Sequence, residues 1–211
     1  MAEIFKDRFD AGKQLSYLLK DYKDKDAILI AIPRGGVAVA LPVQKELNIP
    51  WEVVVARKVG DPANHELGIG AISEKGIVIL DTRLIKELGI SEEEVGKEIN
   101  EEKKELERRV DLYRKGKDLP YLKGKIAIVV DDGVARGVTS LAAILSVKKL
   151  NPDLIIFACP VCALDAKIKI EKEADEVVCI ASPKSFKNIG EFYHDFSAIT
   201  DDQVLLLLNY K

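Results

Sequence analysis

The chain has 211 residues, a length that suits one domain able to bury roughly 70% of its unfolded surface. Its 32 Lys and Arg against 35 Asp and Glu give a formal net charge of -3, which disfavours non-specific nucleic-acid binding as the main role. Three cysteines in a chain without a disulfide-rich composition, an N-terminus (MAEIFKDRFD) lacking an apolar leader and no apolar run near the ~18 residues of a membrane span set aside secretion and membrane insertion, so a cytoplasmic location is expected.

In chain order, the apolar run at residues 27–32 (AILIAI) ends in Pro33-Arg34-Gly35-Gly36, and residues 37–47 read as a helix closed near Asn48. A second run at 51–56 completes the length and order of a βαβ unit, which predicts parallel pairing. Residues 57–70 (RKVGDPANHELGIG) are polar enough to be read as a mobile loop. On that stretch His65 and Glu66 are the proton-transfer candidates, with a solvated His65 as the alternative.

Residues 91–114 open with a Ser91/Glu94 capping box and carry Val95, Ile99, Leu106, Val110 and Tyr113 as one apolar stripe, predicting a long amphipathic helix. That stripe covers either its own domain or a partner. Strand-length apolar runs at 126–130, 154–158 and 177–180 alternate with helical segments at 141–150 and 163–173, and a last short helix at 204–208 follows the Thr200/Gln203 capping pattern. The predicted fold is α/β, a mostly parallel sheet flanked by helices. A single domain over 1–211 is expected, its core spanning about 1–181 and a hood-like segment about 182–211.

The most informative segment is 129–140 (VVDDGVARGVTS), where a strand runs into two carboxylates, two glycines and two hydroxyls before a helix. At the carboxyl end of a parallel strand, Asp131 and Asp132 reach the crevice where ligands of open α/β sheets bind and can accept from a ribose diol. Backbone N–H groups from Ala135 to Thr139, at the positive end of the next helix, suit a phosphate. Adjacent acids beside so apolar a strand are expected to lack a partner without a ligand. Neither a Gly-x4-Gly-Lys-Ser/Thr loop nor a well-placed Gly-x-Gly-x-x-Gly is present, which argues against nucleoside triphosphate hydrolysis and dinucleotide binding.

This segment resembles the phosphoribosyl pyrophosphate motif of type I phosphoribosyltransferases, and the order of pieces is most similar to a branch of predicted phosphoribosyltransferases without an established acceptor. The resemblance implies that Asp131 and Asp132 bind the ribose hydroxyls, Asp132 also serving catalysis. Ala135, Arg136, Gly137, Val138 and Thr139 would wrap the 5′-phosphate. Arg136 stands where the family commonly has a small residue, and it either contacts the phosphate or points into solvent. The AIPRGG turn resembles the pyrophosphate loop, with Arg34, Gly35 and Gly36 facing the leaving group; an ordinary strand-to-helix turn is the alternative. Residues 57–70 would be the flexible catalytic loop, with Arg57 and Lys58 supplying positive charge at its base. The implied cofactor is Mg²⁺ carried by the substrate, the implied partners are phosphoribosyl pyrophosphate and a small nitrogen heterocycle or amine, and a homodimer is common in the family. Ala135 counts against 6-oxopurines, whose enzymes often carry Asp there.

Phe186 and Tyr193, in the aromatic-rich stretch 182–200, either stack on a flat acceptor or pack the end of the sheet. Cys159-Pro-Val-Cys162 has the spacing of a redox or zinc pair but lies at the end of an apolar strand, which favours a buried structural pair. The function expected is transfer of 5-phosphoribosyl to a nitrogen acceptor, a non-catalytic sensor or a phosphosugar hydrolase being the alternatives.

Overall fold

The computed structural model describes residues 4–184, 186 and 188–209. Five parallel strands form the central sheet in the order β2 (Trp51–Val53), β1 (Ala27–Ala31), β6 (Ile126–Val130), β7 (Leu154–Val161) and β8 (Glu176–Ala181). Every residue of β1 is buried, as are the last four of β6 and all but the first of β7, because helices cover both faces. Each fully buried Leu, Ile or Val contributes about 1.5–3 kcal/mol relative to exposure.

Helix α1 (Arg8–Leu18) packs on α2 (Gly35–Leu47), which also meets the last helix, α7 (Asp201–Leu208). Helices α5 (Val138–Lys148) and α6 (Leu164–Ile170) follow β6 and β7. At the α1–α2 crossing, a Cβ on Gly12 would stand 2.2 Å from the Val39 carbonyl oxygen and 2.6 Å from Pro42 Cγ. Gly12→Ala is therefore expected to push the helices apart and cost about 1–3 kcal/mol. A fall in the urea midpoint with an unchanged slope checks this; an unchanged midpoint contradicts it.

Residues 57–70 correct the expectation of a mobile loop. They form most of an antiparallel hairpin, β3 (Ala56–Asp61) and β4 (Asn64–Ser73), to which β5 (Ile77–Leu80) adds a third strand. Val59, Ile69 and Ala71 are fully buried and supply the apolar face. The polar tip and the shifts of register at Gly60 interrupt the alternation that marks a strand. Two short elements, α1 and α3 (Thr82–Leu88), were not among the predicted helices, and β5 was not among the predicted strands.

The long helix α4 (Glu92–Arg114) begins with the expected Ser91/Glu94 capping box. Val95, Leu106 and Tyr113 are buried in the core on one face of the sheet, with Ile99 and Val110 packed against it, so the stripe covers the protein's own domain. A network fastens α4 to α7: Arg108 bonds both Glu105 and Asp201, Arg109 donates to Glu105 at 2.7 Å, and the Tyr113 hydroxyl donates to Asp201 at 2.6 Å. The hydrogen bond from Arg108 pulls the Glu105 carboxyl down from 4.5 to about 2. A depressed carboxylate stabilises fully above its unfolded pKa and loses that contribution as pH falls through the folded one. The stability gap between the native protein and Glu105→Gln should accordingly persist above pH 4.5 and close as pH falls toward about 2. A gap independent of pH over that window would contradict the assignment.

Candidate functional site

The sheet order places β1 and β6 side by side, with their following helices on opposite faces, which makes the gap beyond their carboxyl ends a topological switch point. In the register Ala31 faces Val130, and Ile32 N–H donates to the Val130 carbonyl at 2.8 Å. The Pro33–Gly36 turn and the Asp131–Ser140 segment consequently leave the sheet at the same level. The Pro33–Arg34 peptide is cis. Gly35 lies so close to the acidic segment that a Cβ there would stand 1.8 Å from Asp132 Oδ2.

The Asp131–Ser140 segment lines a crevice of about 680 Å³ together with Lys58, Glu66, Ile189 and Phe196, and the Pro33–Gly36 turn packs against its acidic end. The N-terminus of α5 lines it, and that of α2 packs beside it against Asp131 and Asp132. Among the described residues, the backbone N–H groups of Gly35 and Gly36 and those from Ala135 to Ser140 have no hydrogen-bond acceptor. Such donors, at the positive ends of helix dipoles, favour phosphate or pyrophosphate oxygens. Gly137, at φ 82°, holds the left-handed conformation that starts α5. The segment is tied down by Val134 N–H to the Val161 carbonyl and Ala163 N–H to the Val134 carbonyl, both at 2.8 Å. Behind it, Cys159 and Cys162 are fully buried, and burial pushes the Cys159 thiol up.

The acidic pair is not partnerless, contrary to the expectation from sequence. Ser140 Oγ donates to Asp131 Oδ2 at 2.8 Å, and Asp132 N–H donates to Asp131 Oδ1 at 2.9 Å. Arg8 Nε donates to Asp132 Oδ2 at 2.7 Å, while the Tyr193 hydroxyl donates to the Asp132 carbonyl at 2.6 Å. Burial, and then the neighbouring Asp132 carboxylate, raise the Asp131 pKa.

The basic residues divide by strand alternation. Lys58 lines the crevice and donates to the Glu66 carbonyl at 3.2 Å, whereas Arg57, one position earlier, turns to α4 and bonds Glu102 at 2.6 Å. Glu66 stands at the mouth, its side chain 97% exposed. His65 is drawn to Glu98 on α4 at 3.4 Å. The Arg34 guanidinium lies 3.7 Å from Asp201 on α7, so its charge is engaged there and the turn meets the acidic pair through its glycines. Arg136 lines the crevice and reaches the Gly68 carbonyl at 3.5 Å.

Tyr193 is corrected as a stacking surface: it is 3% exposed, and its ring packs between Phe5 and Phe196 with centroids at 5.1 and 4.9 Å. Phe186 packs edge-on against Phe192 at 5.0 Å. Among the described residues, the aromatic ring that lines the crevice is Phe196. Sequence reasoning also missed Arg8, whose partner lies 124 positions away with no local pattern to announce it.

An open parallel sheet with helix N-termini and an acidic pair gathered at the carboxyl ends of its strands defines an α/β protein whose crevice suits an anion. The match of residues 3–197 to the phosphoribosyl transferase domain model places the chain in that family. Curated relatives from Mycobacterium tuberculosis strains CDC 1551 and H37Rv, each named "Putative phosphoribosyl transferase", are 36% identical over 207 residues, 98% of this chain and 47% of theirs. The chain thus spans about half the length of these relatives. Among solved structures, TT1426 from Thermus thermophilus is similar at a TM-score of 0.77 and 32% identity, covering 97% of each chain. The AQ2163 protein from Aquifex aeolicus shares the fold at a TM-score of 0.53 and 14% identity, covering 85% of this chain and 74% of its own.

Proposed function

We propose that the crevice transfers the 5-phosphoribosyl group of phosphoribosyl pyrophosphate to a nitrogen of a small heterocycle or amine, releasing pyrophosphate. The observation that carries this reading is the meeting of the glycine turn with the acidic segment, because transfer at C1 needs a pyrophosphate cradle and a ribose-diol acceptor side by side. In this arrangement Asp131 and Asp132 accept from the ribose hydroxyls, the α5 N-terminus takes the 5′-phosphate and Gly35 and Gly36 offer N–H groups to pyrophosphate. The C1–oxygen bond to pyrophosphate breaks as the C1–nitrogen bond forms, and the carboxylates stabilise the oxocarbenium-like charge between them.

The residues present fit Mg²⁺ carried by the substrate. Two adjacent carboxylates at the crevice suit an ion that keeps waters and substrate oxygens. Asp131 and Asp132 would hold it, and when bound it neutralises pyrophosphate oxygens. Lys58 adds positive charge from the hairpin, and Glu66 is the proton acceptor best placed at the mouth. A cytoplasmic homodimer accompanies this reading.

A phosphoribosyl pyrophosphate sensor is the second reading, favoured by the turning of His65 toward Glu98. Pyrophosphate release with Mg²⁺, phosphoribosyl pyrophosphate and pooled purine and pyrimidine bases and amines separates the two. Acceptor-dependent release is expected; binding without release would replace the enzyme by the sensor, and release without any acceptor would indicate a hydrolase.

A further inference from the structure

Arg8 opens α1, and only 9% of its side chain is exposed. Besides the bond to Asp132, its Nη1 donates to the Ser197 carbonyl at 2.8 Å, and its guanidinium carbon stands 3.7 Å from the centre of the Phe196 ring. Its Nε also lies 3.0 Å from where a Cβ on Gly35 would stand. One planar cation thus touches the acidic pair, the glycine turn and the C-terminal wall of the crevice. Two bonds to separate acceptors fix the plane of a guanidinium, and a fixed plane fixes the carboxylate it meets. The bond engages Asp132 Oδ2 alone of its two carboxylate oxygens. On the other side Arg8 backs Phe196, the aromatic ring that lines the crevice.

We propose that Arg8 is a positioning residue for phosphoribosyl transfer, holding the sugar-side carboxylate Asp132 and the Phe196 wall in a single arrangement. The proposal rests on the reading of the crevice as a phosphoribosyl pyrophosphate site. Arg8 acts through Asp132 and Phe196, without touching the reacting atoms.

Lysine and glutamine separate its two contacts. A lysine ammonium can keep the ion pair with Asp132, but it cannot also bond Ser197 and lie flat on Phe196; glutamine loses the ion pair. The test titrates ribose 5-phosphate, and phosphoribosyl pyrophosphate with Mg²⁺, into the native protein, Arg8→Lys and Arg8→Gln. Amide hydrogen exchange of residues 192–197 is followed in the same three proteins without ligand. Arg8→Gln should bind both ligands about 10–100-fold more weakly, while Arg8→Lys stays within about threefold of the native protein. Exchange at 192–197 should be faster in both variants. Equal affinity loss in the two variants, or none in either, would overturn the positioning role, since loss of packing alone does not distinguish a retained cation. Failure of the native protein to bind either ligand would sink the phosphoribosyl reading instead. In that event the exchange data still decide whether Arg8 holds the wall: unchanged protection at 192–197 rejects it.

Discussion

Glu74→Ala is expected to lower the unfolding free energy by about 3–5 kcal/mol, because it strands a buried guanidinium. Glu74 and Arg114 are only 8% and 5% exposed and face each other in a two-pronged pair, one prong being Arg114 Nη1 to Glu74 Oε1 at 2.9 Å and the other Nη2 to Oε2. The remaining valences are filled as well. Arg114 Nη1 donates to the Val53 carbonyl and Nε to the Lys117 carbonyl, both at 2.9 Å, and Val55 N–H donates to Glu74 Oε1 at 2.8 Å. The Glu74 carbonyl accepts from Ser146 Oγ at 2.7 Å. Four segments therefore meet at this pair: the end of β2, the β4–β5 turn, the end of α4 and α5. The expected loss is a large fraction of the ~5–15 kcal/mol typical of a domain, so the variant should unfold at much lower urea. Because either single change leaves an unpaired charge, Glu74→Ala/Arg114→Ala should cost less than the sum of its parts. A loss below about 1 kcal/mol for Glu74→Ala would show that the pair does not join these segments.

Gly35→Ala is expected to weaken ligand binding in the crevice at least about 100-fold and to lower global stability by less than Glu74→Ala does. The added methyl would fall 1.8 Å from Asp132 Oδ2 and 2.4 Å from Asp132 Cγ, so the carboxylate must leave its place and its bond with Arg8. A misplacement of about 1 Å in a reacting constellation costs on the order of 10²-fold in rate, and this displacement is larger. The stability effect stays below that of Glu74→Ala because Arg8 keeps its bond to the Ser197 carbonyl and the displaced carboxylate borders a cavity. Affinity for phosphoribosyl pyrophosphate should fall at least about 100-fold, while the urea midpoint falls modestly. Native affinity in this variant would mean that Asp132 and the glycine turn do not form one site.

What could be read from the sequence follows from where burial is continuous. Runs such as AILIA in β1 and IAIVV in β6 are apolar throughout because parallel strands covered on both faces have no polar side to betray. The capping boxes of α4 and α7 are local chemistry, legible within four residues. The acidic segment was legible for a similar reason, since carboxylates, glycines and hydroxyls must cluster where a strand hands over to a phosphate-binding helix. The hairpin of β3 and β4 was not, because its exposed tip and glycines hide the period-two pattern. That strand geometry is what sends Lys58 to the crevice and Arg57 to Glu102, a division invisible when both are assigned to a loop. Arg8 and the Glu74–Arg114 pair join positions 124 and 40 residues apart, and no local periodicity encodes such contacts.

Calorimetric titration of phosphoribosyl pyrophosphate with Mg²⁺ into the native protein and into Asp131→Asn/Asp132→Asn tests the central claim most directly. Binding in the micromolar range is expected for the native protein and its loss in the double variant, with folding of the variant confirmed by its melting curve. No heat of binding in the native protein at millimolar ligand, or equal affinity in the two proteins, would contradict it.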